Sequence, residues 1–272
     1  MKKLISVMAL TALLLCMFTA CGGETEKESG NETAKDQLTT VREKGELIIA
    51  TEGTWAPWTY HDETDTLVGF DIEVAQKVCE KLGVKATFVE GEWDSLLMGL
   101  ENGMYDIMAN GVNVTPERSD KFDFSVPYAY SRTALMVRAD DDRISSFEDL
   151  EGMTTANTIS STYAAVAEKY GAKVTGVDDL NQTIELLLQG RIDATLNDEV
   201  TYLDYVSQHP DANIKVAAYS EDADIIALPL RKGEETETLR AEIDKALEEL
   251  REDGTLSELS IKYFGVDLCK GE

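Results

Sequence analysis

Apolar positions along this chain alternate between two spacings. Short runs rich in Val, Ile, Leu and Phe, at residues 46–50, 84–89, 105–109, 174–177 and 193–196, have the length and composition of strands. Between them the spacing becomes helical: over 69–82, Phe70, Val74, Val78 and Leu82 stack on one face. Helices are likewise predicted over 93–100, 162–170, 180–188 and 199–206. Near the end, Leu239, Ile243, Leu247 and Leu250 recur at helical spacing in a charged frame, which predicts an amphipathic closing helix. Strands alternating with helices in this way predict α/β layers with mostly parallel sheets. No internal repeat is visible.

The N-terminus has a different pattern. Lys2 and Lys3 precede an uncharged apolar run over 4–18, too short for a comfortable membrane span but with the order of a secretory signal. Residues 1–20 are therefore read as a signal, ending in Phe18-Thr19-Ala20 before Cys21. That ending resembles a bacterial lipobox, with Phe18 where Leu or Val is usual, so Cys21 is the expected lipidation site. The stretch 21–40 is polar, charged and almost free of large apolar side chains, which predicts a flexible tether and a folded body beginning near Val41.

Charge changes what the body can bind. The formal net charge is −27, which argues against nucleic acid and against a basic patch for anionic lipid. The acid excess itself reads as a solvated surface. Cys16 leaves with the signal and Cys21 is committed to lipid. Cys79 lies on the apolar side of a helix, where a buried thiol is expected, and a disulfide to Cys269 stays open. His61 and His209 are isolated, so neither a metal site nor a cofactor is expected.

Open α/β sheets bind ligands beyond the carboxyl ends of their strands. After the first strand comes Thr51-Glu52-Gly53-Thr54-Trp55-Ala56-Pro57-Trp58; after the third comes Asn110-Gly111-Val112-Asn113-Val114-Thr115-Pro116-Glu117-Arg118. Thr115 can cap a short helix with Pro116 in its first position, which puts Arg118 in the first turn, where a cation opposes the helix dipole. An arginine fork suits a carboxylate. Ser160-Ser161-Thr162-Tyr163 opens a later helix, and Asn197-Asp198-Glu199 ends a later strand with an acid for an ammonium group. An arginine, a helix start and an acid together match an α-amino acid. Each also has a plainer reading. Arg118 could pair with Glu117 or Asp120, Asp198 or Ser161 could only cap a helix, and Trp55 and Trp93 could be core.

Several longer stretches carry a resemblance: TEGTWAPWTYHDE, VGFDIEVAQKVCEKLGV, YDIMANGVNVTPERSDKFDFSVPYAY, SFEDLEG, GRIDATLNDE and LEELREDGTLSELSIKYFG. From Glu46 to Val266 the chain resembles the polar-amino-acid family of solute-binding proteins that serve ABC importers. The resemblance implies a two-lobed periplasmic-binding-protein-like fold of type II, with the ligand cleft between lobes. Lobe 1 would be 41–128 plus 228–268, lobe 2 134–226, and the hinge strands 129–133 and 227–228. By position, Arg118 matches the arginine that clamps the α-carboxylate, beside Asn113 and the Thr162 backbone. Asp198 matches the acid that takes the α-ammonium, Trp55 and Trp93 the aromatic sandwich, and Glu52 an acid that reads the side chain. Asn110, Gly111 and Ser161 complete the expected set. Asn110 and Asn113 stand where many members carry Ser or Thr, and Tyr163 replaces a smaller polar residue.

TEGTWAPW, ANGVN and SSTY look most like cystine-binding members, and Glu52 could pair with the distal ammonium of cystine. Glu52 beside two indoles would equally suit arginine or lysine. The expected role is thus a lipid-anchored, extracytoplasmic receptor, monomeric, which hands a free L-amino acid to an importer permease. No catalysis is expected: a few relatives of this fold are dehydratases, but no nucleophile–base pair or metal motif accompanies Glu52. A sensor docking a receptor in place of a permease is the remaining alternative.

Overall fold

The computed structural model describes residues 36–270. The expected signal, Cys21 and the tether up to residue 35 lie outside the described residues. The tether does not extend to Thr40, nor does the body begin at Val41. Helix α1 (Gln37–Lys44) starts where Asp36 accepts a hydrogen bond from the Thr39 N–H at 2.9 Å. Leu38 and Val41 are buried, Gln37 Nε2 donates to Asp106 at 2.8 Å, and α1 packs against the closing helix α8 (Glu237–Glu252). Two apolar side chains in an otherwise polar stretch suffice once a tertiary surface is there to cover them.

The first lobe is built on β1 (Glu46–Thr51), flanked in parallel by β5 (Lys85–Glu90) and β6 (Ile107–Met108). A small antiparallel sheet of β2 (Thr54–Trp55), β3 (Thr59–His61) and β4 (Leu67–Val68) intervenes. Helix α2 (Phe70–Leu82) covers the sheet with its predicted face, in which Phe70, Val74 and Val78 have no exposure. Helices α3 (Trp93–Glu101) and α4 (Pro116–Lys121) follow, then β7 (Phe122–Phe124). The chain leaves through β8 (Ala129–Ser131).

The second lobe holds a five-stranded sheet in the order β11-β10-β12-β9-β13. Its members are β9 (Thr133–Arg138), β10 (Thr154–Asn157), β11 (Lys173–Gly176), β12 (Ala194–Asp198) and β13 (Ile214–Tyr219). Helices α5 (Thr162–Lys169), α6 (Leu180–Leu188) and α7 (Glu199–Gln208) connect them. Strand β9 runs antiparallel to both of its neighbours, so this mostly parallel α/β arrangement contains a mixed sheet. Five of the six β9 residues are buried, as befits a strand between two neighbours inside a sheet.

The chain returns through β14 (Asp224–Ile226), which pairs antiparallel with β8, and then β15 (Pro229–Arg231), paired with β7. Helix α8 buries Leu239, Ile243, Leu247 and Leu250, as their spacing predicts, and α9 (Thr255–Phe264) closes the first lobe. Cys79 and Cys269 are both buried and free; the Cys269 thiol donates to the Leu256 carbonyl at 3.3 Å. Among the described residues no helix is long and apolar enough to cross a membrane.

Candidate functional site

At the carboxyl end of β1 the chain turns out as Glu52, and Asn110, just past β6, holds it. Asn110 Oδ1 accepts from the Glu52 N–H at 2.8 Å, and Asn110 Nδ2 donates to Glu52 Oε2 at 2.6 Å. Burial pushes the Glu52 carboxyl up to about 7. The Asn110 hydrogen bond works against that shift, and the charges of Asp179 and Asp94 add to it.

Gly111 comes next, with φ 53°. A Cβ here would lie 2.6 Å from Cζ3 of Trp55, so only glycine allows that indole to lie against the backbone. Asp71, in the first turn of α2, accepts the Gly111 N–H and also the Tyr128 hydroxyl at 2.8 Å, which anchors this loop. Trp55 in turn stacks on Trp58 at 5.7 Å between ring centroids, and Trp58 is fully buried against Phe70 and Phe264.

Thr115 caps α4 as expected, accepting the Arg118 N–H at 3.1 Å with Pro116 opening the helix. The guanidinium is not paired with Glu117 or Asp120. Its Nη1 donates to the Asn113 carbonyl at 3.0 Å and its Nη2 to the Ser160 carbonyl at 3.3 Å, and it lies 5.0 Å from the Trp93 ring centroid. Among the described residues no carboxylate forms an ion pair with it. Burial without a counter-charge pushes its pKa down to about 10. Two of five N–H donors are thus engaged by carbonyls, and a carboxylate is the acceptor that would best satisfy the rest.

The second lobe contributes helix starts and strand ends. Ser161 caps α5 by accepting the Ala164 N–H at 3.1 Å, and Thr162 Oγ1 accepts from Asn113 Nδ2 at 3.0 Å. At the end of β12, Asn197 Oδ1 accepts from Trp55 Nε1 at 3.1 Å. Asp198 caps α7 through the Val200 N–H at 3.2 Å and accepts the Ser131 hydroxyl from β8. Burial lifts the Asp198 carboxyl to about 7, with Asp224 and Glu199 adding to the shift.

Between the lobes these elements line a cavity, the usual setting of a small-molecule site. Glu52, Trp55, Trp93, Gly111, Asn113, Arg118, Ser161 and Thr162 line it together. Asn110 and Asp198 do not line it: the first supports Glu52 from behind, and the second lies beyond Asn197 against β8. Reading the sequence missed Asn157 and Thr158 at the end of β10, Asp179, Leu180 and Thr183 at the start of α6, and Asn197. The rule of strand carboxyl ends, applied to β10 as it was to β1, would have pointed to Asn157.

Among the described residues, four side-chain bonds cross the cleft: Trp55 to Asn197, Asn113 to Thr162, Arg118 to the Ser160 carbonyl, and the Ser160 hydroxyl to Asp94. The lobes are therefore closed on each other.

Residues 47–266 match the family described as bacterial extracellular solute-binding proteins, family 3. The L-cystine-binding protein TcyA of Bacillus subtilis is 37% identical, over 99% of this chain and 100% of that protein. Among solved structures, an ancestral arginine-binding protein bound to arginine is 36% identical, with a TM-score of 0.76 over 81% of this chain and 99% of that one. The L-cystine solute receptor of Neisseria gonorrhoeae, in an unliganded open conformation, is 39% identical, with a TM-score of 0.58 over 86% and 99%. The chain superposes better on the liganded protein, although that protein is slightly less identical in sequence.

Proposed function

The chain belongs to the bacterial extracellular solute-binding proteins, family 3, and we propose that it is the lipid-anchored receptor of an amino-acid ABC importer, closing its lobes around a free L-amino acid. Cystine is the favoured cargo. The observation that carries the reading is Arg118, a buried guanidinium in a closed cavity whose partners are two backbone carbonyls. Such a group accounts for its burial when a ligand carboxylate completes it.

In this reading Arg118, Asn113 and the Thr162 backbone hold the α-carboxylate. The α-ammonium goes to the Asn197–Asp198 end of β12, where a carboxyl lifted to about 7 ionises once a cation approaches. Trp55 and Trp93 flank the ligand. The first lobe comprises residues up to 128, from α1 onward, together with 228–268, and the second 134–226. Residues 129–133 and 227–228 act as the hinge, and the paired β8 and β14 beside them support that role. Closure costs the rearrangement of two lobes, and contacts made to both by one ligand offset it. Cys21 carries the lipid, and the permease reads the closed state.

The relatives bear on the cargo. TcyA and the gonococcal receptor, both cystine-binding by name, match over nearly the whole folded body. The arginine-bound structure supports a basic amino acid as the second reading, since Glu52 would face a cationic side chain in either case. Calorimetry on the mature chain, unfolded and refolded to strip carried-over ligand, tests this against cystine, arginine, lysine, glutamine and histidine. Tight binding of one or a few of them is expected. Silence from folded protein across the panel would overturn the reading.

A further inference from the structure

The amino-acid receptor reading leaves open what the far end of the cavity selects, and the following rests on that reading. Glu52, from the end of β1, and Asp179, at the start of α6, line the same cavity from opposite lobes. Neither forms an ion pair among the described residues. Asp179 Oδ1 accepts the Gln182 N–H at 2.9 Å, while Oδ2 has only a 3.5 Å contact with Gln182 Nε2. Asp179 also repels Glu52 strongly enough to help raise its pKa.

A third acceptor lines the cavity independently of the two acids. Asn157 is 3% exposed, and its Nδ2 donates to the Leu196 carbonyl at 2.8 Å. That leaves Oδ1 buried with no hydrogen-bond partner. A buried acceptor left unpaired is costly, and two carboxylates lining one cavity without a cation repel each other. One change relieves all three: a donor-rich cation on the ligand. Arg118 is not that cation: the Asn113 and Ser160 carbonyls fix its guanidinium in place, and its remaining donors go to the α-carboxylate in the receptor reading.

We propose that Glu52 and Asp179 form a cradle, divided between the lobes, for a second cationic nitrogen on the cargo, with Asn157 Oδ1 as its neutral acceptor. The receptor then selects amino acids that carry an ammonium or guanidinium at the distal end of the side chain, a class that contains cystine, lysine and arginine. Because the two carboxylates come from different lobes, that nitrogen also draws the lobes together. A neutral side chain leaves like charges facing each other and opposes closure.

The test is calorimetry on the intact mature chain with cystine, lysine and arginine, against glutamine, norleucine and the mixed disulfide of cysteine with 3-mercaptopropionate, which lacks only the distal ammonium of cystine. Wild type is compared with Asp179→Asn and Asp179→Ser; both replacements can still cap α6, and thermal melting verifies the fold. At least one doubly basic ligand is expected to bind, with affinity falling about 10- to 100-fold in both variants, the scale of one charge-assisted hydrogen bond. The mixed disulfide and the neutral amino acids should bind wild type weakly and lose no affinity in the variants, gaining some because one of the two like charges is gone. A neutral ligand that binds tightest, or unchanged affinity in both variants, would overturn the cradle and leave the receptor reading standing. Silence across the whole panel would overturn both.

Discussion

The indole Nε1 of Trp55 donates to the side-chain oxygen of Asn197 at 3.1 Å, tying the first lobe to the end of β12 in the second. One ring thus does two things: it walls the cavity through its face and latches the lobes through its edge. Trp55→Phe separates the two, keeping an aromatic wall and removing the latch. The substitution should lower cargo affinity by about 0.5–1.5 kcal/mol, the net worth of one hydrogen bond. Small-angle scattering should show the ligand-free variant more open than wild type; an unchanged profile would mean the latch does not govern closure.

Arg118→Ala should cost about 2–5 kcal/mol of binding, the scale for stripping a buried charge of its partner. Arg118→Lys should recover only part of this, because a lysine ammonium cannot make two parallel bonds to a carboxylate. Near-wild-type affinity in the alanine variant would remove Arg118 from the site.

Gly111→Ala forces an L side chain into the left-handed region, worth about 1–2 kcal/mol by itself, and drives its Cβ onto Trp55. Both a lower melting temperature and weaker binding are expected. A variant that melts normally yet fails to bind would locate the damage in the indole rather than the backbone.

Acid should stabilise the ligand-free protein over part of its range. Glu52, Asp71 and Asp198 each titrate at about 7 in the fold, chiefly through burial, against about 4 in an unfolded chain. Glu52 faces Asn110, Asp179 and Asp94; Asp71 faces the Gly111 N–H and Tyr128; Asp198 faces Ser131, the Val200 N–H, Asp224 and Glu199. The folded state therefore binds protons more tightly, and stability rises as pH falls from about 7 toward about 4. Asp141, held down to about 2 by Arg143, acts oppositely but only below the ordinary carboxylate range. Melting of the ligand-free chain should be higher at about pH 5.5 than at about pH 8. Saturating cargo should weaken the trend, since an ammonium held at Asn197, next to Asp198, favours the ionised carboxylate. A flat ligand-free profile would contradict the assigned burial of these groups.

Spacing along the chain was enough for the helices whose apolar faces repeat: Phe70, Val74 and Val78 on α2, and Leu239, Ile243 and Leu247 on α8, are buried as predicted. It also determined the strand ends where the polar residues gather, because strand direction and turn chemistry are local. The Thr115-Pro116 start of α4 is local in the same sense. The rest depends on how distant segments pack together. Leu38 and Val41 make a helix because α8 lies beneath them, and the antiparallel pairing of β9 is fixed only where β12 and β13 dock on its two edges. Asn157 and Asp179 reach the site because α6 starts beside β10's end. Asp198 was legible as an acid at a strand end, but its withdrawal behind Asn197 follows from the Ser131 hydroxyl on β8, 67 residues away in the chain. Sequence spacing records which face of one element is apolar; which side chain of another element meets it is set by packing across the whole fold.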